Sequence, residues 1–167
     1  MRKLYWEKEI DTYLLKNSDE ILVALSFKLA GNSSFLINSK EYFISKRGFW
    51  NPGYFIEHKE ECILKLTHSF WGSNGKIVFN DGTEYGTDYK TLGGLKLRFL
   101  DGKKELLVYK TEVVNNRPEL HFHVIENIMD AEKLLILAAL GMTIFSTIFR
   151  ESSTSDDDIT TLLLFTA

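Results

Sequence analysis

The side chains best spaced for metal chemistry are those of His121-Phe122-His123. Residues two apart on a strand share a face, so both imidazoles can approach one ion. Leu120, Phe122 and Val124 take the other, core-facing side, which sends the histidines to an outer face. No third ligand lies nearby in sequence, so a plain polar strand face is the simpler reading. Cys62 is the only cysteine. A nucleophilic thiol needs an activating base, and the sequence proximity of His58 does not bring the two together in space. Strand or core packing is its expected role. Asp156-Asp157-Asp158 could contribute to a cation site but lacks the glycine and distal glutamate of a calcium loop; it reads as part of a solvated linker. The chain contains no Gly-x-Ser-x-Gly elbow, phosphate loop or dinucleotide fingerprint. No catalytic residue, metal ligand or cofactor is expected.

Cations beside aromatics suggest a different chemistry. Lys46-Arg47-Gly48-Phe49-Trp50 puts two positive charges next to two rings in an expected loop. Lys46, Arg47 and Trp50 could hold a phosphate or a lipid head group, the rings dipping into an interface. Alternatively, Phe49 and Trp50 cap one end of the core, and Phe70-Trp71-Gly72 has the same two readings. Lys96, Arg98, Lys103 and Lys104 form the densest basic region. Strand alternation puts Lys96 and Arg98 on one outward face, as an anion patch or a solvated surface. The formal net charge is -3 and the cations are scattered, which argues against nucleic acid as a partner.

These side chains must be carried by strands. The chain has 167 residues, enough for one domain with a sizeable core, and 13% of them are aromatic. Residues 1–20 are open between a short helix, with Trp6, Ile10, Tyr13 and Leu14 on one side, and a strand plus turn. From Ile21 the period is two: Ile21, Val23, Leu25, Phe27 and Leu29 alternate with Ala24, Ser26 and Lys28. Short strands follow at 35–37, 41–45, 54–57, 62–68, 76–79, 83–85, 95–99, 106–110 and 120–124. Turn residues separate them, the sharpest being Asn80-Asp81-Gly82. That spacing favours an antiparallel sandwich or barrel.

The pattern changes at Asp130, a helix cap, with Glu132 in the first turn. Residues 134–149 contain no charge, and their polar side chains are Thr143, Ser146 and Thr147. A helix apolar on every face is enclosed by protein or by lipid. The run is 16 residues, about 24 Å, short of the roughly 30 Å bilayer core. A closed barrel around the helix would cover it completely and leave no free strand edges. Leu135, Ile136, Ala139, Met142 and Phe145 are then all expected to be inaccessible to solvent. Residues 152–158 read as a linker and 159–165 as a last strand.

The string of short strands, the segments Gly48-Phe49-Trp50-Asn51-Pro52-Gly53-Tyr54 and Lys76-Ile77-Val78-Phe79-Asn80-Asp81-Gly82, and the late apolar helix resemble the tubby-like superfamily, which includes the LURP-one-related proteins and the phospholipid scramblases. The likeness covers the chain from about residue 21. It implies a mostly β fold: an antiparallel, closed or nearly closed barrel of about 10–12 strands around one buried helix at about 131–150. Tubby proteins bind phosphoinositide head groups through basic side chains, and no binding residue is carried over on that basis. The expected function is a non-enzymatic binding or interaction module for an anionic lipid head group, a membrane surface or a protein partner. One alternative is a membrane-associated protein that inserts residues 134–149. Another is a metal-binding or enzymatic protein using His121 and His123. With no apolar run behind Arg2-Lys3 and no disulfide, the expected location is cytoplasmic, peripheral at a membrane if lipid is the ligand.

Overall fold

The computed structural model describes residues 4–28, 32–48, 52–68, 73–92, 94–125 and 130–152, of which 117, 118 and 149–152 are described by backbone alone. The first strands are β1 (Leu4–Glu9), β2 (Thr12–Asn17), β3 (Glu20–Phe27), β4 (Ser33–Ile37), β5 (Lys40–Arg47) and β6 (Gly53–His58). They continue as β7 (Glu61–His68), β8 (Asn74–Phe79), β9 (Glu84–Lys90), β10 (Lys96–Asp101), β11 (Lys104–Val114) and β12 (Arg117–Val124). One helix, α1 (Ala131–Ser152), follows. The twelve strands pair antiparallel in sequence order, forming a nearly closed barrel around α1. Among the described residues no hydrogen-bonded ladder joins β1 to β12; the rings of Trp6 and Phe122 meet across that seam at 6.4 Å.

Simple up-and-down connectivity gives the barrel two unlike rims. The even-to-odd connections are tight, two residues each at 18–19, 38–39, 59–60 and 102–103 and four at 80–83. Four odd-to-even connections, 28–32, 48–52, 69–73 and 91–95, are five residues each. We call these ends the tight rim and the open rim. Asn38-Ser39, Lys59-Glu60 and Asn115-Asn116 have positive φ at both central positions, the backbone of a type I′ hairpin. Asparagine tolerates that conformation, whereas lysine and glutamate are strained in it. Replacing Lys59-Glu60 with Asn-Gly should raise stability by about 1 kcal/mol, a gain of about 3 °C in melting temperature by calorimetry. An unchanged or lower melting temperature would contradict that.

Bulges correct two expectations of alternation. The β2–β3 register passes from Leu15↔Val23 to Lys16↔Ile21, leaving Leu22 as an extra residue. Val23 and Leu25 point inward and are fully buried, but the bulge turns Ile21 outward, where it is 55% exposed. Likewise Ile56↔Leu64 passes to Glu57↔Cys62 around Ile63. Cys62 does lie in a strand, but its side chain is exposed and does not pack in the core. Residues 4–17 are strand, turn and strand rather than a helix, and the expected short strand at 106–110 runs from Lys104 to Val114.

The core is the barrel interior filled by α1. Leu137, Ala139, Leu140 and Met142 are fully buried against wall residues such as Leu25, Ile56, Leu66, Ile77, Phe99 and Tyr109. Of the five helix residues expected to be inaccessible, Ile136, Ala139, Met142 and Phe145 are so, but Leu135 is half-buried. It lies in the second turn, where the helix has only just entered the barrel. Thr143 and Thr147 donate to the carbonyls of Ala139 (3.0 Å) and Thr143 (2.8 Å), which satisfies their hydroxyls without a wet face. Thr143 also meets Ser33 of β4 at 2.9 Å.

The N-terminus of α1 is tied to the tight rim. The amides of Glu132 and Lys133 donate to Asp130 Oδ1 at 2.8 and 3.3 Å, so Asp130 is the cap. Glu132 accepts from Lys40 Nζ at 3.1 Å and from the Tyr42 hydroxyl. Lys133 pairs with Asp81, donates to Thr83 at 2.7 Å and lies over the Phe79 ring. Hydrogen bonds from Tyr42 and Lys40 lower the Glu132 carboxyl below its ordinary value, and Lys133 and Thr83 do the same for Asp81. Both groups are more acidic folded than unfolded. Their contribution is therefore complete above the ordinary carboxylate range and is lost as pH falls through and below it. Glu132→Gln should lower the melting temperature at pH 7, and the gap to the unsubstituted protein should shrink below about pH 4. A gap independent of pH would break this assignment.

Candidate functional site: the open rim

The expected metal pair is on the outer face of β12, its rings 6.2 Å apart and nearly parallel. His123 is exposed, while His121 is half-buried, its Nε2 3.5 Å from Glu112 Oε2 and 3.8 Å from Glu119 Oε2. Among the described residues no three His, Cys, Asp or Glu side chains are arranged to hold a metal ion. Register explains the cluster: Lys110↔His121 and Glu112↔Glu119 are facing pairs across β11–β12. It is a column of cross-strand polar groups in which Lys110 pairs with Glu112 and His121 lies beside both glutamates.

Lys96 and Arg98 share an outward face, as alternation requires. Both are engaged. Arg98 Nε donates to Asp88 Oδ1 at 2.7 Å, its Nη2 pairs with Asp88 Oδ2, and Nη1 reaches Glu105 at 3.0 Å. Lys96 lies 3.4 Å from the same glutamate. Asp88 and then Glu105 hold the guanidinium charge more firmly than usual, and Arg98 keeps Glu105 acidic. A fork paired with two carboxylates has little charge left for an outside anion. Lys103 and Lys104 belong to the tight rim, at the far end of β10 and β11.

Lys46 and Arg47 end β5 at the open rim, five strands from β10. Alternation splits them: Lys46 follows Tyr42 and Ile44 on the inner face, opposite Tyr54, and Arg47 points out. Arg47 pairs with Glu57 at 2.6 Å and lies over the Phe55 ring. Beside Lys46, His68 is half-buried; burial first, then the Lys46 charge, lowers its tendency to protonate. Trp50, Phe49, Phe70 and Trp71, like Asp156-Asp157-Asp158 and 159–165, lie outside the described residues.

Taken separately, these residues hide a pattern that the topology exposes. The four five-residue connections of the open rim are Lys28-Leu29-Ala30-Gly31-Asn32, Gly48-Phe49-Trp50-Asn51-Pro52, Ser69-Phe70-Trp71-Gly72-Ser73 and Thr91-Leu92-Gly93-Gly94-Leu95. A basic residue opens or immediately precedes each: Lys28, Arg47, His68 and Lys90. Large apolar residues follow within three positions, and none of the four contains an acid. Leu92 is 97% exposed; at the same rim Ile10, between β1 and β2, is 93% exposed, and Val113 near the end of β11 is 74% exposed. No other described large hydrophobic residue is as exposed as these three.

The tight rim is the opposite in character. Its turns and flanks carry Asp19, Glu20, Glu41, Glu60, Glu61, Asp81, Glu84 and Asp101, and the helix start adds Asp130 and Glu132. Lys40, Lys59, Lys103, Lys104 and Lys133 offset half of these charges. Among the described residues, acids therefore gather at the tight rim, and the most exposed large hydrophobics, Ile10, Leu92 and Val113, gather at the open one. Further acids stand toward the open rim: Glu9 and Asp11 at β1–β2, Glu112 and Glu119 facing each other on β11 and β12, and Asp88, which faces Asn74 at the start of β8 and is paired with Arg98. No protein-family model, curated protein or solved structure matches this chain.

Proposed function

We propose that the protein is a non-enzymatic binding module that docks its open rim on an anionic phospholipid surface. The observation that carries this reading is the rim itself. The most exposed large hydrophobic residues described, Ile10, Leu92 and Val113, gather at this rim with Lys28 and Lys90, and acids are concentrated at the other end. Exposed side chains such as Leu92 and Ile10 cost free energy in water and regain it on entering the boundary between head groups and acyl chains. Lys28 and Lys90 would then lie at head-group level, where each cation near an anionic surface contributes about 1 kcal/mol. The acidic rim points away from the lipid. The barrel with a threaded apolar helix is also what the tubby-like resemblance implied, and membership of that superfamily and a peripheral location at a membrane are part of the proposal.

Co-sedimentation with vesicles tests it. Vesicles of phosphatidylcholine with about one third phosphatidylserine should pellet the protein at low salt, and binding should weaken as salt screens the cations. Leu92→Ser combined with Ile10→Ser should reduce partitioning at least tenfold, and so should Lys28→Glu combined with Lys90→Glu, with the melting temperature unchanged. Recovery of the protein in the supernatant with every anionic vesicle would end this reading. The insertion alternative, in which α1 enters the bilayer, has less support. The helix is long and apolar enough to cross a membrane, but two-thirds of that stretch is already buried inside the barrel.

A further inference from the structure

We propose that the outer wall of β3–β5 is a dimer interface, on which a second copy of this chain packs with its barrel axis reversed. The wall stands apart from the rim tips Ile10, Leu92 and Val113, so this contact and membrane docking can fail independently.

Charge is spread over the rest of the outer wall and missing here. Of the twelve described strands, β4 alone carries no charged residue, and β3 carries only Glu20, at its tight-rim end. Register sets the outward side chains in rows. One row runs Leu14, Ala24, Leu36 and Glu41 from β2 to β5, and the next runs Thr12, Ser26, Ser34 and Phe43. Leu36 and Phe43 are diagonal neighbours across β4–β5 and within reach of each other. Both are exposed, as is Ile21 where the bulge turns it out. Beside them lie Ala24, Ser26 and Ser34, so apolar knobs alternate with shallow sites made by small side chains. The panel is bordered by Lys28 toward the open rim and by Glu20 and Glu41 toward the tight one.

A second copy fits because the panel complements itself, as an isologous contact requires. A two-fold axis in the interface, between the two rows and across the strands, lays each row over the other. Leu36 then falls on Ser34 of the second copy, and the reverse contact follows by symmetry. Phe43 falls opposite Glu41 of the second copy. Lys28 Nζ lies 4.9 Å from the Phe43 ring centre, so the same operation sets Lys28 beside that glutamate, twice per dimer. Among the described residues neither Lys28 nor Glu41 forms an ion pair within its own chain. An axis along the strands would keep like rims together and leave Lys28 with no acid opposite, so charge selects the reversed arrangement. The panel is about 14 Å across from β2 to β5 and about 26 Å along β3. That area, roughly 400 Å² per copy, is about half of a standard interface, so the dissociation constant should be on the order of 10–100 µM.

Sedimentation velocity of the full chain without lipid, from about 1 to about 500 µM, brackets that range and tests the contact. The weight-average mass should rise from that of the 19.3 kDa monomer toward twice that value. Leu36→Glu should weaken association at least tenfold. Its side chain is exposed, so the melting temperature of the dilute protein should not change. Lys28→Glu and Glu41→Lys should each weaken association at least threefold at low salt. The two together should restore it, because the exchange re-forms both pairs with reversed sign. A monomer at every concentration overturns the inference; if Leu36→Glu then also lowers partitioning onto the phosphatidylserine vesicles, the panel is a lipid-facing surface instead. Association that Leu36→Glu leaves intact overturns it as well, because the contact then lies elsewhere. A double variant as weak as the single ones would overturn the reversed arrangement.

Discussion

Gly141→Ala is expected to destabilise the protein by about 2–4 kcal/mol, although the substitution favours a helix. In a solvent-exposed helix interior, alanine gains about 1 kcal/mol over glycine. Here a Cβ would fall well inside contact distance of the Tyr109 ring and 2.9 Å from Phe99 Cε2. Tyr109 has nowhere to go. Its hydroxyl donates to the Ala138 carbonyl at 2.6 Å and accepts from Trp6 Nε1 at 3.0 Å. Its ring is packed against Phe122 and Phe145 at centroid distances of 4.8 and 6.1 Å. Burial pushes its phenol well above the ordinary value, so it stays protonated and keeps donating. Moving the ring breaks two buried hydrogen bonds, and leaving it in place strains the helix against the wall; each costs about 1–3 kcal/mol. The drop in melting temperature should be about 5–15 °C. A variant as stable as the parent in urea would show that the helix can shift freely, contrary to a tightly threaded barrel. Gly141→Leu should prevent folding, seen as loss of soluble expression.

Trp6→Ala should cost about 3–5 kcal/mol, the range for emptying a buried aromatic site. Trp6 is 1% exposed and belongs to β1, the strand held at the seam by side chains rather than by a ladder with β12. Its ring meets Phe122 edge-on and its Nε1 donates to Tyr109. Removing it opens the seam, so exchange of the β1 amides should quicken more than that of β6 or β7. Trp6→Phe keeps most of the volume but leaves Tyr109 without its donor, at about 1–2 kcal/mol. In a cycle with Tyr109→Phe, the coupling should exceed about 0.5 kcal/mol. Urea unfolding measures all of these. A loss under 1 kcal/mol for Trp6→Ala would mean that β1 contributes little to closure.

Particular residues show why some of this was legible in advance. Val23, Leu25, Leu97 and Phe99 alternate strictly, and a two-residue period has one physical meaning for a half-buried strand. Asp81-Gly82 and Asp130 carry their turn and cap chemistry in their own side chains. Lys59-Glu60 carries none: neither residue favours positive φ, and only pairing of β6 with β7 holds them there. Ile21 and Cys62 look inward by parity. The bulges at Leu22 and Ile63 that turn them outward leave no local signal in the alternation.

The charge-free run from residue 134 to 149 by itself determined that this protein has a helix enclosed by protein or by lipid, because no face of an apolar helix is stable in water. The strand period determined what encloses it. The arrangement on which the proposed function rests was settled elsewhere. Lys28, Arg47, His68 and Lys90 are ordinary residues tens of positions apart, and Lys96 and Arg98 are the denser cluster. Only strand order brings the first four to one rim, and only cross-strand pairing neutralises the other two with Asp88 and Glu105. Periodicity is a property of neighbours along the chain. Which charges are opposed, and which apolar tips share an end, are properties of neighbours in space.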